Sequence, residues 1–531
     1  MSIRVRAAAV AAATMIAALA PLLGAAPRPA TPARAADTRA AAASMPVREW
    51  RRRHESEILH EFARLLAIPD VAADSANLRR NADTLIAMLE RRGLRARRLE
   101  SPGSPPAILG ELATPGAART LIIYAHYDGQ PVVARDWAGG DPWRPVLRDR
   151  PVESGGREIA LPATGETADP EARLYARAAG DDKAPIIALV AALDALRATH
   201  ARPTVNLKVF LEGEEEAGSP HLRDMLERHR DALAGDAWVF CDGPVHPSRA
   251  LQLAFGVRGS LGLELTVYGP VRALHSGHYG NWAPNPIALM NELLTSMRDA
   301  DGRILIPGYD ADVRPVTDGE RAVMAAVPDP DAALRDELEL GATEAGNARL
   351  IERLMLPAIN FRGVRAGGVG ETATNSIPVD ARASIDFRMV PDQTPAGVTA
   401  KVEAFLRGRG WWIVHETPDA ATRRAHARIV RLDWSGGYPA YRAPLDLPFA
   451  RALHEAMEAS LGRPVLRVPT LGGSLPLHLF GDVLAVPVIV LPIANHDDNQ
   501  HAANENLRLA NLWDGIDVYA GLLTRLGPLW R

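Results

Sequence analysis

The sequence predicts an α/β protein built on a mostly parallel sheet with helices on both faces, interrupted by a smaller inserted α+β unit. Short apolar runs alternate with helix-like patterns through the first half of the chain, which is typical of a parallel sheet. A second pattern, resembling antiparallel strands, begins near Leu251. The chain has 531 residues, which is more than one ordinary core accommodates, so two domains are expected.

The first predicted unit begins near Pro46, after a polar, alanine-rich linker over 31–44. Apolar residues at helical spacing predict helices over 47–66, 77–92, 184–198 and 221–229. Short apolar runs predict strands over 120–125, 204–211 and 237–240. Further helix and strand patterns after Pro448 complete this unit. Ligands of such sheets bind beyond the carboxyl ends of the strands, so the residues that come after each strand are candidates for a site.

The second predicted unit combines an alternating strand over 259–268 with helices over 284–297 and 395–407 and a strand pair around 376–388. Units of this size suit a small α+β lid with an open sheet. The stretch 300–360, rich in acidic residues and proline, is predicted to be an insertion in this lid. The predicted division of the chain is 46–250 and 436–531 for the first domain and 251–435 for the second.

The N-terminus carries the pattern of a secretory signal peptide over 1–36. Arg4 and Arg6 precede an apolar, alanine-rich run over 7–26, and small residues continue to Ala36. An uncleaved membrane anchor ranks second, because alanine is weakly hydrophobic and Pro21 interrupts the run. We therefore expect a periplasmic or secreted protein without a membrane contact after cleavage.

The composition excludes several classes of partner. Apolar residues make up 47% and charged residues 23%, as in soluble globular proteins. The net charge of -4 gives no electrostatic reason to expect nucleic acid or an anionic membrane as a partner. Cys241 is the only cysteine, so no intrachain disulfide forms; we expect it to be buried at a strand end.

Two motifs near the first strands could hold a metal. His126 and Asp128 are two apart on an extended segment and point the same way, so His126 could bind a metal while Asp128 orients a neighbour. Taken alone, this pattern is more often a loop histidine beside a turn-forming Asp-Gly. Asp181 opens the helix predicted over 184–198, where carboxylates are also stabilised by the helix dipole without any function.

Three more motifs come after other apolar runs. The acidic run 212–216 contains four carboxylates, which repel one another unless they are solvated or bound to cations. Asp242 comes after the strand predicted over 237–240, and the segment 494–505 comes after the apolar run 485–493 and holds His496 and His501. Each motif is weak alone, but chance rarely places such residues after successive core strands.

This ordered set resembles the M20 family of zinc peptidases, which includes carnosinase-type dipeptidases, glutamate carboxypeptidases and acylamino-acid deacylases. The resemblance spans nearly all of 46–531. His275-Ser276-Gly277 and Gly472-Gly473-Ser474 match the dipeptidase branch. The resemblance implies a ferredoxin-like lid that also serves for dimerisation, and hence a homodimer.

The resemblance also implies a role for each site residue. Asp181 would bridge two zinc ions, with His126 and Asp242 completing one zinc and Glu216 and His501 the other. Glu215 would be the general base, and Asp128 would support His126 from behind. The remaining implied roles are stabilisation of the oxyanion, often in the partner subunit's site, by His275, and binding of the substrate carboxylate by Arg388 with help from Asn375 and Ser474.

The motifs leave a choice between two histidines, and they differ from the family's usual residues at two positions. His501 is preferred over His496 because the Ala-Ala-Asn-Glu after it is similar to the residues after the family's ligand. Ala184 and Asn281 stand where the family usually has glycine. Neither departure removes a ligand, so they bear on substrate fit more than on catalysis.

The predicted function is an exported dinuclear zinc peptidase that hydrolyses dipeptides or short peptides with a free C-terminal carboxylate. Three carboxylates and two imidazoles suit Zn²⁺, with Mn²⁺ or Co²⁺ as substitutes. Two ions sharing a carboxylate lie roughly 3.5–4 Å apart and can hold a water between them. Alternatives within the family are an N-acyl amino acid deacylase or a carboxypeptidase. A non-catalytic peptide-binding protein is a remote alternative, and a serine hydrolase lacks its G-x-S-x-G elbow here.

Overall fold

The computed structural model describes residues 45–346 and 348–531. The predicted signal peptide over 1–36 and the linker over 31–44 lie outside these residues. Within the described ranges, no helix combines the length and the hydropathy that a membrane crossing requires.

A large sheet forms the centre of the molecule. Of the described residues, eight strands compose it, in the spatial order Arg95–Leu99, Ala107–Leu112, Asn206–Glu212, Thr120–His126, Ala237–Phe240, Val488–Val490, Gln252–Ala254 and Leu466–Val468. The four central strands run parallel, as the alternation of strands and helices predicts. The two strands at one edge pair antiparallel, and so does Gln252–Ala254 with Val488–Val490.

Both faces of this sheet are buried, because successive residues of each strand point to opposite sides. In the strand Thr120–His126, Leu121 and Ile123 join one apolar cluster, whereas Ile122 and Tyr124 join the other. The first cluster also contains residues of the helices Glu55–Leu66, Ser75–Glu90, Lys183–Ala198, Pro448–Leu461 and Leu509–Leu529. The second contains residues of the helix Leu222–Arg228. The prediction of an α/β fold with a mostly parallel sheet is confirmed.

A second sheet comes from the chain between Gln252–Ala254 and Leu466–Val468. Its five strands are, in spatial order, Ala358–Arg365, Asp380–Met389, Gly259–Tyr268, Ile429–Tyr438 and Trp412–Val414. The helices Pro286–Met297 and Pro395–Gly408 bury their apolar side chains in the core of this sheet. The first of them begins where Asn285 accepts a hydrogen bond from the backbone of Ile287, with Pro286 in the first turn.

Smaller elements complete the described structure. A four-stranded antiparallel sheet is formed by Asn506–Arg508, Arg173–Tyr175, Val146–Arg148 and Glu158–Ile159. Two short strand pairs join Gly256–Val257 to Tyr441–Arg442 and Leu274–His275 to Ser376–Ile377. Further α-helices of the described residues include Ser276–Tyr279, Asp318–Ala326, Asp331–Glu337, Leu350–Arg353 and Ala420–Ala425.

Most predicted elements lie within a few residues of the observed ones. Strands such as Arg95–Leu99, Ala107–Leu112 and Ile429–Tyr438 were not predicted, and two further differences concern stretches for which a prediction was made. The strand predicted over 204–211 runs from Asn206 to Glu212, so its end reaches into the acidic run. The stretch 300–360 contains three of the short helices and also the start of the strand Ala358–Arg365, which was not predicted. That strand is an edge strand whose second half is exposed, so it lacks the apolar alternation of a half-buried strand.

Candidate metal centre

The site residues gather where the central parallel strands end. The strand Thr120–His126 ends on a site residue, and Asn206–Glu212 and Ala237–Phe240 each precede one by a few residues. Parallel strands place their carboxyl ends at the same edge of a sheet, which explains why residues distant in sequence meet there. The residues brought together are His126, Asp181, Glu215, Glu216, Asp242 and His501.

Asp181 occupies the middle of this cluster. Its Oδ1 lies 2.9 Å from Nε2 of His126, and its Oδ2 lies 3.2 Å from Nε2 of His501. The two oxygens of one carboxylate therefore face two different histidines. Such an orientation is what a carboxylate shared between two cations requires.

Each histidine also lies near a second carboxylate. His126 Nε2 is 3.9 Å from Asp242 Oδ2, and His501 Nε2 is 3.2 Å from Glu216 Oε2. In two sets of three residues, donor atoms lie within 4.8 Å of one another: His126 with Glu215 and Asp242, and His126 with Asp181 and Glu216. Both sets contain His126, and His501 lies beside Asp181 and Glu216, so the cluster gathers nitrogen and oxygen donors of the kind that bind metals.

Asp128 holds both the histidine and the acidic turn in place. Its carboxylate oxygens accept hydrogen bonds from the backbone N–H groups of Glu215 at 3.1 Å and Glu216 at 3.0 Å. Its backbone carbonyl lies 3.1 Å from Nδ1 of His126, which leaves Nε2 directed at Asp181. This fully buried residue thereby fixes the orientation of the His126 ring and of the acidic turn.

Glu505 anchors the loop that carries Asp181. One of its carboxylate oxygens accepts from the backbone N–H groups of Gly180 and Asp181, and the other accepts from Ala178 N and Arg177 Nη1. No role was predicted for this residue from the sequence. Its only sequence signal was its place at the end of the 494–505 motif, next to residues with assigned roles.

The loop around His501 has an unusual backbone. Asn499, His501 and Asn504 adopt positive φ angles of 58°, 62° and 63°, a region that non-glycine residues rarely enter. Within this loop, Gln500 Nε2 donates to Asp181 Oδ2 at 2.9 Å, and elsewhere Gln130 Nε2 donates to Glu216 Oε2 at 2.8 Å. Both glutamines are close in sequence to ligand candidates, but the sequence alone predicted no role for them.

The electrostatics of the cluster show a surplus of carboxylates. Burial, with the charge of Asp181, raises the pKa of Asp242 to about 8, and burial with the charge of Asp242 raises the pKa of Glu215 well above its usual range. Hydrogen bonds to Asp181 and Glu216 raise the pKa of His501 to about 11. Each carboxylate disfavours the charge of the others because few cationic groups lie among them.

The residues present fit bound divalent cations. Oε1 of Glu216 is buried without a hydrogen-bond partner in the described part of the chain, although buried carboxylate oxygens are normally paired. Cations between these carboxylates would replace the missing partner and offset the repulsion that raises the pKa values. Oxygen and imidazole donors in this proportion suit Zn²⁺ and related transition metals.

A cavity of about 860 Å³ opens onto the cluster. Arg388 and Ser474 line it together with the metal-ligand candidates, and Arg388 Nη1 donates to Ser474 Oγ at 2.7 Å. Asp386 accepts from Arg388 Nε at 2.8 Å and thereby fixes the guanidinium. The structure therefore brings both of these predicted substrate-binding residues to the candidate site.

His275 and Asn375 are placed elsewhere. Both are exposed, and neither lines this cavity in the described chain. They are neighbours at the separate short strand pair of Leu274–His275 and Ser376–Ile377, where Ser276 N donates to the carbonyl of Asn375 at 2.9 Å. The proposed contact of His275 with a partner subunit's site stays a prediction.

Cys241 and His496 are not among the residues that gather around Asp181. Cys241 is buried directly after the strand Ala237–Phe240, as predicted. His496 lines the cavity, but its Nε2 lies 3.8 Å from Glu337 instead of facing Asp181. This position agrees with the choice of His501 as the ligand candidate.

Comparison with known proteins gives relatives of one kind. Residues 122–525 match peptidase family M20/M25/M40. A Cys-Gly metallodipeptidase of Saccharomyces cerevisiae is 25% identical over 428 residues, which cover 79% of this chain and 82% of the relative. A human Beta-Ala-His dipeptidase is 25% identical over 442 residues, covering 80% of this chain and 78% of the relative.

Solved structures agree with this assignment. An M20 family metallo-carboxypeptidase from Sulfolobus solfataricus superposes with a TM-score of 0.72 at 25% identity, covering 89% of this chain and 99% of the other. Human carnosine dipeptidase 1 has the same fold, with a TM-score of 0.73 at 22% identity and coverage of 91% and 99%. Because the family match extends over most of the chain, this protein belongs to peptidase family M20/M25/M40 and is a metal-dependent hydrolase.

Proposed function

We propose that this protein is a dinuclear zinc peptidase that hydrolyses dipeptides or short peptides with a free C-terminal carboxylate. The observation that carries the proposal is Asp181, whose Oδ1 lies beside His126 and whose Oδ2 lies beside His501, with Asp242 near the first histidine and Glu216 near the second. In this assignment His126 and Asp242 would hold one cation, Glu216 and His501 would hold the other, and Asp181 would contribute to both.

Cations at these residues would supply Lewis acidity, lowering the pKa of a water and polarising the substrate carbonyl. Glu215 is the proposed general base: it lies beside His126 and Asp242 and lines the cavity. Its carboxylate would take a proton from the attacking water and deliver it to the leaving amine. The backbone of Glu215 is fixed by Asp128, so the carboxylate keeps its position while the proton moves.

The opposite side of the cavity supplies the proposed carboxylate clamp. Arg388 would pair with the C-terminal carboxylate of the substrate, and Ser474, already in contact with this guanidinium, would assist. A clamp at a fixed place beside the metal centre favours short substrates. His275 is proposed to stabilise the oxyanion in the site of a partner subunit, with Asn375 beside it, which requires a homodimer formed through the smaller sheet.

A carboxypeptidase is the second candidate. It is favoured by the similarity to the solved metallo-carboxypeptidase and would use the same clamp on longer peptides. An N-acyl amino acid deacylase would also use this arrangement. The signal peptide proposed over 1–36 would export any of these enzymes to the periplasm or the medium.

The test combines metal content with a substrate panel. We expect two equivalents of Zn²⁺ per subunit in the purified protein and hydrolysis of dipeptides with free carboxylates. Amidation of the C-terminal carboxylate should lower kcat/KM by about 100-fold or more, since the guanidinium of Arg388 would lose its charged partner on the substrate. Equal rates on amidated dipeptides, or faster rates on N-acetyl amino acids, would reject the dipeptidase assignment.

A further inference from the structure

The segment 318–354 of the smaller domain forms one side of the active-site cavity. Its lining residues include Pro330, Leu334, Glu337, Leu338, Leu350 and Leu354. Most of these side chains are apolar, whereas the metal-ligand candidates across the cavity are charged. The segment lies within the stretch 300–360, for which the sequence suggested only an insertion.

This wall is attached to the rest of the molecule. Glu320 forms a buried ion pair with Arg442 at 2.9 Å, and Val327 is buried in the second core cluster of the large sheet. Asp331 Oδ2 accepts from the backbone N–H of Leu350 at 2.9 Å, which ties the helix Asp331–Glu337 to the next helix. These contacts fix the segment, so its apolar side chains have defined positions in the cavity.

The wall extends from the carboxylate clamp to the metal loop. A Cβ built on Gly472 would lie 3.0 Å from Leu354 Cδ2, so Leu354 packs beside the Gly472–Ser474 segment of the clamp. At the other end, Glu337 Oε2 lies 3.8 Å from Nε2 of His496, which is in the same loop as His501. Leu334 and Leu338 are at this second end, on the same helical turn as Glu337.

Two leucine side chains in this cavity are exposed, so a ligand that covers them would bind more tightly. Leu338 is 59% exposed and Leu350 is 44% exposed, although both line the cavity. Covering a leucine side chain with another apolar group is favourable because it removes apolar surface from water. The cavity, at about 860 Å³, has room for large side chains beside a peptide backbone.

We propose that Leu334 and Leu338 form the pocket for the residue on the N-terminal side of the scissile amide, and that this residue is apolar. The inference rests on the proposed function, which places the C-terminal carboxylate at Arg388 and the scissile carbonyl at the metal centre. The C-terminal residue then occupies the Leu354 end. The remaining end of the wall, beside His496, receives the N-terminal residue.

The experiment compares kcat/KM for Leu-Gly, Gly-Leu and Gly-Gly with the zinc-loaded full chain. We expect the wild type to prefer Leu-Gly over Gly-Gly by about 10–100-fold, which is the range over which hydrophobic pockets discriminate between side chains of different size. Leu334→Ser and Leu338→Ser should each lower this ratio by about fivefold or more. Leu340→Ser is the matched control: Leu340 is 47% exposed and outside the cavity lining, so the ratio should not change.

The possible outcomes distinguish failure of the proposed pocket from failure of the proposed peptidase activity. A wild-type ratio near one, or a ratio unaffected by both cavity substitutions, would overturn the proposed pocket while leaving the peptidase intact. A fall in the Gly-Leu to Gly-Gly ratio alone would overturn the N-terminal assignment. Failure of the zinc-loaded wild type to cleave any of the three dipeptides would instead count against the proposed function. Two separate cavity variants keep the test valid if one of them folds poorly.

Discussion

At the scale of single residues, the site depends on carboxylates whose neighbours assign them different tasks. Asp128 accepts the backbone N–H groups of both Glu215 and Glu216, so the two adjacent side chains start from one fixed turn. Glu216 faces His501 and Gln130, whereas Glu215 lies toward Asp242. Adjacent glutamates can thus serve as metal ligand and as proton acceptor without exchanging roles.

Glu215→Gln should abolish turnover while metal content is preserved. The amide cannot accept a proton, and general-base catalysis is worth about 10²–10⁴-fold in rate. The substitution keeps the size of the side chain and leaves the hydrogen bond from its backbone to Asp128 unchanged. Turnover of a dipeptide and bound zinc, measured on the same preparation, check this prediction. Substantial residual activity at full zinc content would reject Glu215 as the base.

Glu505→Gln should weaken metal binding without removing a ligand. One oxygen of Glu505 accepts from Gly180 N and Asp181 N, and the other accepts from Ala178 N and Arg177. The amide nitrogen of glutamine would replace one of these oxygens and face donors it cannot accept from. The loop that carries Asp181 would then lose part of its anchor. Loss of such outer support typically costs about 10–100-fold in metal affinity. Competition with a chelator measures the affinity. Glu171→Gln, at an exposed glutamate paired with Arg249, is the control and should bind zinc normally.

At the scale of elements, the helix Lys183–Ala198 positions the start of the site. Lys183 is fully buried and its Nζ lies 2.7 Å from Asp70 Oδ2, which also belongs to a fully buried side chain. The other oxygen of Asp70 accepts from Trp143 Nε1 at 3.1 Å. This buried ion pair joins the first turn of the helix to the loop that precedes Ser75–Glu90. Lys183 is two residues after Asp181 in the sequence, so the pair also holds the segment that carries this ligand candidate.

Lys183→Met should destabilise the protein strongly, because Asp70 would remain as a buried carboxylate without its partner. Breaking a buried pair by removing one charge costs about 3–5 kcal/mol. The double variant Asp70→Asn with Lys183→Met removes both charges and should recover part of this loss. Thermal unfolding of the wild type, the two single variants Lys183→Met and Asp70→Asn, and the double variant gives the comparison. A double variant as unstable as the sum of both single variants would show that the pair is not coupled.

The elements also show what sequence patterns can predict. The strand Ala237–Phe240 and the strand Gly259–Tyr268 match their predicted bounds because a buried strand leaves an apolar or alternating pattern. The exposed edge strand Ala358–Arg365 leaves no such pattern. Glu505 could not be assigned a role because its partners lie more than 320 residues away, and only the fold brings them together.

At the scale of the whole molecule, the cavity combines the two sheets. The large sheet supplies the candidate metal ligands, and the smaller sheet supplies Arg388 from the strand Asp380–Met389. The motifs, read together with the family resemblance, identified both sets of residues but could not predict how the sheets lie together. Arg388 lines the cavity, whereas His275, on an exposed part of the same smaller domain, does not. The sequence patterns could not distinguish these two positions.

Removal of the metals should therefore have a pH-dependent effect on the stability of the whole chain. Without cations, burial and neighbouring charge raise the pKa values of Glu215 and Glu216, and that of Asp242 to about 8. Carboxyl groups with raised folded-state pKa values contribute stability that is fully present below their unfolded pKa values. This contribution is lost as the pH rises through the folded-state pKa values, that of Asp242 being about 8. The metal-free protein should thus lose stability between pH 6 and pH 8.

Bound cations reverse this dependence, because they compete with protons for the same carboxylates and for the imidazoles of His126 and His501. We expect zinc to raise Tm more at pH 8 than at pH 6, with a stabilisation of about 4 kcal/mol when free zinc is 1,000 times its Kd. Unfolding curves with zinc and with a chelator at both pH values give the measurement. Asp242→Asn, which lacks one proposed ligand, should show a smaller zinc effect at pH 8. An equal gain at both pH values would mean that zinc does not bind at these carboxylates, since only sites that exchange protons for metal link the two equilibria.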